Sequence, residues 1–374
     1  MWQTLSDHPE VFYGGALAFG IVVLLTPAVG GMARLLGVVD RPDKRRLNRR
    51  TIPRLGGLAL FFGIFVPALA FLPLGRETKG VLLGMAVATT VGAVDDFRGL
   101  APWEKLGGQI AAAAIPTSFG IWVHQFTFPI VGAHVLPSWL GRPLTVIGIV
   151  AVMNMVNFLD GLDGLAAGVC AISAGTFALI ELDLGRPNPA ILAMIVLGAT
   201  LGFLRHNFYP ARIFMGDSGA LLLGFTLSVI AVQGLLKTAS LVSLLLPLAV
   251  LTVPILDTSF VVAKRLKYGI PIYEADRSHL HHRFLNIGYS QKRAVLTIYA
   301  WCATLAAAAL ATHFVSPHPH GDWRPWALGV DAGIGFLAFA ASVYIVYLLE
   351  IVKLANPRIR RREQEAREAA RRSA

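Results

Sequence analysis

The chain has 374 residues, 55% hydrophobic and 15% charged, with a mean hydropathy of +0.62. Soluble domains carry roughly a quarter of their residues as charges, so this balance excludes a water-soluble globular protein and points to a polytopic membrane protein. The net charge of +11 is no nucleic-acid footprint: the basic residues gather in short segments beside apolar runs, where anionic lipid and inward-directed insertion account for them.

A membrane-crossing helix needs about 20 mostly apolar residues. Eleven runs qualify, near 11–36, 55–74, 80–95, 106–123, 143–159, 164–182, 188–204, 218–236, 239–262, 294–314 and 326–352. The first is expected to remain as a span, because no basic segment precedes it and no small-residue cleavage site follows. The fold class is therefore all-α and polytopic, with about 11 transmembrane helices. An odd count puts the termini on opposite sides. With the N-terminus outside, only Arg76, Lys79, Arg142, Arg186, Lys237 and Arg324 lie outside among 33 basic residues. That bias predicts a cytoplasmic C-terminus. The longest outside segment, 124–142, alternates around Val131–Val135 and predicts a small hairpin. Residues 1–354 read as one integral-membrane domain and 355–374 as a basic tail at the membrane surface. Cys170 and Cys302 both fall in apolar runs and read as small buried residues.

The orientation places five carboxylates on one side. Asp95 and Asp96 end the third run in GAVDDFRGL. Asp160 and Asp163 lie in NFLDGLDGLAAG, and Asp217 lies in FYPARIFMGDSGALLLG. A coupled transporter places ionisable groups near mid-membrane; here they stand at run ends, as on a catalytic or binding surface. Each cluster alone has a plainer reading, as a solvated helix end or a helix cap. Together, beside basic loops, they suggest Mg²⁺ and phosphate. A diphosphate would be repelled by bare carboxylates, and a hard divalent cation inverts that field. The Gly-rich turns bring backbone N–H groups and helix N-termini to an anion. Asp160 and Asp163 share a direction if their turn is helical. Basic residues around Arg49, Arg50 and Arg54, and in the 263–293 loop, are candidate phosphate clamps. The loop DRSHLHHRF adds His279, His281, His282 and Arg283. A zinc site there lacks a familiar ligand spacing, so substrate contact is the preferred reading.

DRPDKRRLNRRTIPRLGG, DDFRGL, NFLDGLDGLAAG, NFYPARIFMGDSG and SHLHHRF follow one another in this order. In that combination the chain resembles the polyprenyl-phosphate N-acetylhexosamine-1-phosphate transferases, glycosyltransferase family 4, from about Asp40 to Ile298. The resemblance implies a bacterial plasma-membrane enzyme with its site on the cytoplasmic face. It would use Mg²⁺, with Mn²⁺ as a substitute, and a homodimer is a possible form. By position, Asp95 and Asp96 match the acidic pair that handles metal and lipid phosphate, with Asp96 and Asp217 as metal ligands. Asp160 and Asp163 match the paired acids of the nucleotide segment. Gly161 and Leu162 match the uridine lining, Phe214 the aromatic stacked on uracil, and Asn157 and Asn207 polar contacts near the diphosphate. His279, His281 and His282 match the histidine motif. Its HLHH form resembles the branch that uses UDP-N-acetylglucosamine (UDP-GlcNAc), whereas the muramoyl-pentapeptide branch shows three consecutive histidines. Asn48 departs from the His often found in the first motif, leaving Arg49 or Arg50 to compensate. The implied reaction joins sugar-1-phosphate to a polyprenyl phosphate and releases UMP. A transporter and the muramoyl-pentapeptide branch are the alternatives.

Overall fold

The computed structural model describes residues 2–40, 51–128, 132–234, 283–285, 287–315 and 325–348. The run 239–262 and the tail lie outside these. The described helices are α1 (Trp2–Asp7), α2 (Glu10–Leu35), α3 (Gly56–Phe71), α4 (Arg76–Arg98), α5 (Pro102–Ser118) and α6 (Ser138–Leu159). They continue with α7 (Leu165–Asp183), α8 (Pro187–Asn207), α9 (Gly216–Gln233), α10 (Gln291–Phe314) and α11 (Pro325–Leu348). Seven of them, α2, α4 and α6–α10, are long and apolar enough to cross a membrane. The run at 55–74 yields a helix of only 16 residues. The run at 106–123 starts earlier, at Pro102, and stops at Ser118, giving 17 residues, or about 26 Å of helix.

The order from centre to perimeter is set by which helices are apolar all round. In α9, 89% of the apolar window is buried inside the protein, against 33% in α2 and in α6. Helices α3, α4, α6, α7 and α8 surround α9, while α5 bridges α4 and α6, and α10 joins α7 to α11. Without a hydrophobic drive between helices in lipid, close contact depends on small residues. Between α2 and α8 this is a Gly198-x-x-x-Gly202 edge. A Cβ on Gly198 would lie 1.9 Å from the Gly15 carbonyl oxygen, and one on Gly202 would lie 2.8 Å from that of Phe19.

The expected hairpin is present, as β3 (Gln125–Phe128) paired antiparallel with β4 (Gly132–Val135). A second antiparallel pair was not expected: β1 (Val39–Asp40) meets β2 (Ile52–Pro53). It carries the chain into an extended lace with the segment before α9. Phe214 N–H donates to Pro53 O at 2.8 Å, Gly56 N–H to Phe214 O at 2.9 Å, and Gly57 N–H to Met215 O at 2.8 Å. These bonds fix where α3 and α9 begin, and a Cβ on Gly57 would lie 2.1 Å from Gly219 N.

Helix α4 reaches the same point. A Cβ on Gly92 would stand 2.5 Å from the Asp217 carbonyl carbon and oxygen. Gly92→Ala is expected to destabilise the detergent-solubilised protein by about 1–3 kcal/mol through overpacking. Gly107→Ala, in α5 with no atom within 4 Å of the new methyl, is expected to be neutral or mildly stabilising through helix propensity. Thermal unfolding of both variants checks this; equal melting temperatures would show that α4 and α9 do not meet at Gly92.

Candidate active site

The acids meet where α4 ends and α9 begins. Helix α9 has no side-chain cap of its own, so its first N–H groups need an outside acceptor. Asp96 provides it. Its Oδ1 accepts from Asp217 N–H at 2.9 Å, and its Oδ2 accepts from Ser218 N–H at 3.0 Å and the Ser218 hydroxyl at 2.8 Å. Arg54 Nη2 lies 3.6 Å from Oδ1, and the Asp96 side chain is fully buried. Gly216 makes room: its φ is +68°, and a Cβ there would come within 2.4 Å of the carboxylate. Asp96 was expected as a metal ligand; in this geometry its two oxygens accept three hydrogen bonds from the start of α9.

Asp95, one residue back, faces elsewhere. Its Oδ1 accepts from Leu100 N–H at 2.7 Å, and its Oδ2 lies 2.9 Å from Lys105 Nζ. The same ammonium donates to Asp217 Oδ2 at 2.8 Å and to Asn157 Oδ1 at 3.3 Å. Asn157 Nδ2 in turn donates to Asp217 Oδ1 at 2.6 Å. Three oxygens from α4, α6 and α9 thus converge on one cation. Lys105 was missed in the sequence. The available signal was a lone ammonium in the first turn of a helix that runs on apolar, a placement costly in a membrane unless partnered.

Asp160 and Asp163 separate. Asp160 ends α6 with ψ at +48°, and Gly164 precedes α7 with φ at +79°, so the turn is not a continuous helix. Asp163 is buried, and its Oδ2 accepts from Ala211 N–H at 2.8 Å. Asn207, also buried, accepts from Gly164 N–H at 3.0 Å and donates to Ile213 O at 2.9 Å. Both therefore clip the 160–164 turn to the 208–215 segment, and the Asn207 amide is occupied at both ends. Asp160 keeps company with the main cluster. Burial pushes its carboxyl up to about 7, helped by the negative charges of Asp217, Asp96 and Asp163 and opposed by Arg54.

Gly161 is exposed and Phe214 half-buried. Leu162, expected to line a uridine pocket, turns its side chain into a core cluster with Phe284 and Ile298. Arg283 is half-buried beside Phe284. Arg49, Arg50, His279, His281 and His282 lie outside the described residues. Two carboxylates and an amide oxygen at one point fit Mg²⁺, which is commonly held by one or two carboxylates with waters and substrate phosphates completing its shell. Lys105 Nζ marks that point as a cation position.

Residues 78–235, which contain all these acids, match the family model described as glycosyl transferase family 4. The chain is 38% identical over 280 residues to the probable undecaprenyl-phosphate N-acetylglucosaminyl 1-phosphate transferase of Bacillus subtilis (strain 168), spanning 74% of this chain and 78% of the relative. It is 35% identical to the decaprenyl-phosphate N-acetylglucosaminephosphotransferase of Mycobacterium leprae, over 83% of this chain and 86% of the relative. It is also 35% identical to the phospho-N-acetylmuramoyl-pentapeptide-transferase of Desulforudis audaxviator, over 80% and 97% respectively. The chain belongs to glycosyl transferase family 4.

The raised Asp160 carboxyl has a consequence for stability. A folded-state pKa above the ordinary 3.8 means the folded protein binds this proton more tightly than the unfolded chain does. Stability is then lost as pH rises from about 4 to about 7 and stays flat above that. Asp160→Asn, which removes the charge, is expected to raise the melting temperature more at pH 8 than at pH 5. Equal shifts at the two pH values would show that ionised Asp160 is no burden to the fold.

Proposed function

We propose that the protein transfers N-acetylglucosamine-1-phosphate from UDP-GlcNAc to a polyprenyl phosphate, releasing UMP, at the cytoplasmic face of a bacterial plasma membrane. The carrying observation is the convergence of Asp95, Asp217 and Asn157 on one cation position at the ends of apolar helices. The names of the relatives at 38% and 35% identity and the HLHH form of the histidine motif support the UDP-GlcNAc branch. The bias of basic residues toward the side bearing the acids supports the orientation, and the eleven apolar runs support the span count.

In this reading Asp95, Asp217 and the Asn157 amide oxygen would hold Mg²⁺, and Asp96 positions rather than ligates. The bound ion supplies positive charge against the diphosphate oxygens. Lys105, which holds that position in this structure, would yield it to the ion and offer its positive charge to a phosphate oxygen entering beside it. An oxygen of the lipid phosphate attacks the phosphorus that bears the sugar, and the bond from that phosphorus to the UMP oxygen breaks. A phosphate monoester has a second pKa near 6 and is largely dianionic at neutral pH, so no strong base is required. Asp95, fixed by Leu100 N–H and Lys105, orients the acceptor. Rate then comes from positioning and charge neutralisation.

Purified protein given UDP-GlcNAc, undecaprenyl phosphate and Mg²⁺ is expected to release UMP, with none when lipid or metal is left out. Asp217→Asn is expected to lower that release by at least about 10²-fold. Asp95→Asn is expected to cost less than the 10²–10⁴-fold of a general base. UMP from UDP-MurNAc-pentapeptide but not UDP-GlcNAc would move the assignment to the other branch, and no UMP from any UDP-sugar would end it.

A further inference from the structure

Behind the acid cluster, one turn deeper between α5 and α6, lies a polar pair for which the chemistry above has no use. Gln109 Nε2 donates to Asn154 Oδ1 at 3.2 Å, and Asn154 Nδ2 donates back to Gln109 Oε1 at 2.9 Å. Asn154 Nδ2 also reaches Val150 O of its own helix at 2.8 Å. Gln109 is 1% exposed. In an apolar bundle, two facing amides are costly if unpaired and tolerated when each satisfies the other.

Their place in the fold gives the pair a task. Gln109 follows Lys105 by four residues, and Asn154 precedes Asn157 by three, so each pair shares one helix face. The helices run in opposite directions, and the contacts form two rungs: Lys105 with Asn157 at 3.3 Å, and Gln109 with Asn154 behind it. The outer rung is flexible by chemistry, since a lysine reaches its partners through four rotatable carbons. The inner rung is short and reciprocal. Fixing Gln109 against Asn154 fixes the rotation of α5 about its axis and its sliding along α6, and hence the direction from which Lys105 approaches Asp95 and Asp217. On the other side, Gly108 packs so closely on Val91 of α4 that a Cβ would lie 2.6 Å from it, so α5 has no slack to rotate without losing one contact or the other.

We propose that the Gln109–Asn154 amide pair is a positioning device for the transferase site, setting the register of α5 against α6 so that Lys105 and Asn157 both meet Asp217. The inference rests on the transferase reading for its kinetic test, and a second readout keeps the two separable. The full-length protein is compared with a Gln109→Leu/Asn154→Leu pair, which fills the space without hydrogen bonds, and with a Gln109→Asn/Asn154→Gln exchange, which keeps the reciprocal amides. Expected are a kcat near wild type for the exchange and a kcat lower by ~10-fold or more for the leucine pair, with KM for UDP-GlcNAc little changed. Reductive methylation of Lys105, followed by mass spectrometry without substrate, is expected to be faster in the leucine pair than in wild type or the exchange. If the leucine pair does not yield folded protein, Gln109→Asn alone, which shortens one arm and breaks the reciprocity, takes its place in both readouts. Wild-type kcat in the leucine pair, unchanged Lys105 methylation, or equal failure of the exchange would overturn the proposal. Absence of UMP release in the wild type would remove the transferase reading, while the methylation contrast still decides the pair's role.

Discussion

The Asp96 carboxylate accepts from two backbone N–H groups and a hydroxyl at the start of α9, and the arrangement of the site descends from that contact. An anion at a helix N-terminus meets unsatisfied donors and the positive end of the dipole together. Because the anion sits on α4 and the donors on α9, the interaction ties two helices that are distant in the chain. The lace of Pro53, Gly56 and Gly57 with Phe214 and Met215 adds the start of α3 and brings Arg54 beside the same carboxylate. With Asp96 committed, the neighbouring Asp95 is turned away toward Lys105, and Asp217 is left with its side chain free to face the same ammonium.

Asp163 and Asn207 divide labour similarly. They hold the 160–164 turn against the 208–215 segment, which leaves Asp160 in the charged cluster and Gly161 at the surface. The motifs that look like rows of substrate-facing polar groups are therefore mixtures, in which one member shapes backbone and its neighbour is presented. A bundle that excludes water has few other ways to satisfy the ends of its helices.

This mixture marks the limit of what the sequence discloses. The helices were legible from their apolar runs, and the hairpin at 125–135 from its alternation. The gathering of Asp95, Asp160 and Asp217 was legible from topology alone, since all stand at run ends on one side. The roles within each pair were not, because successive helical residues point about 100° apart and only the neighbouring helix decides which is buried. The condition of a helical turn between Asp160 and Asp163 is not met, because α6 ends at Asp160, whose ψ of +48° leaves the helical path. Lys105 escaped notice for a different reason: its partners, Asp217 and Asn157, come from α9 and α6, and nothing local announces them. The pairing of β1 with β2 rests on two residues a side, too few for a periodic signal.

The glycine crossing of α2 and α8 bears on how the protein is made. Five helices separate these two in the chain, so α2 enters the bilayer long before the surface it fits has been synthesised. Lipid tails can cover its small-residue face in the meantime, because they are as apolar as the helix that later replaces them. Assembly is then an exchange of lipid for protein contact, which waits on translation of α8. A nascent chain halted after α7 would keep α2 packed on α3 but leave its Gly15 side facing lipid, open to other small-faced helices and to quality-control proteases.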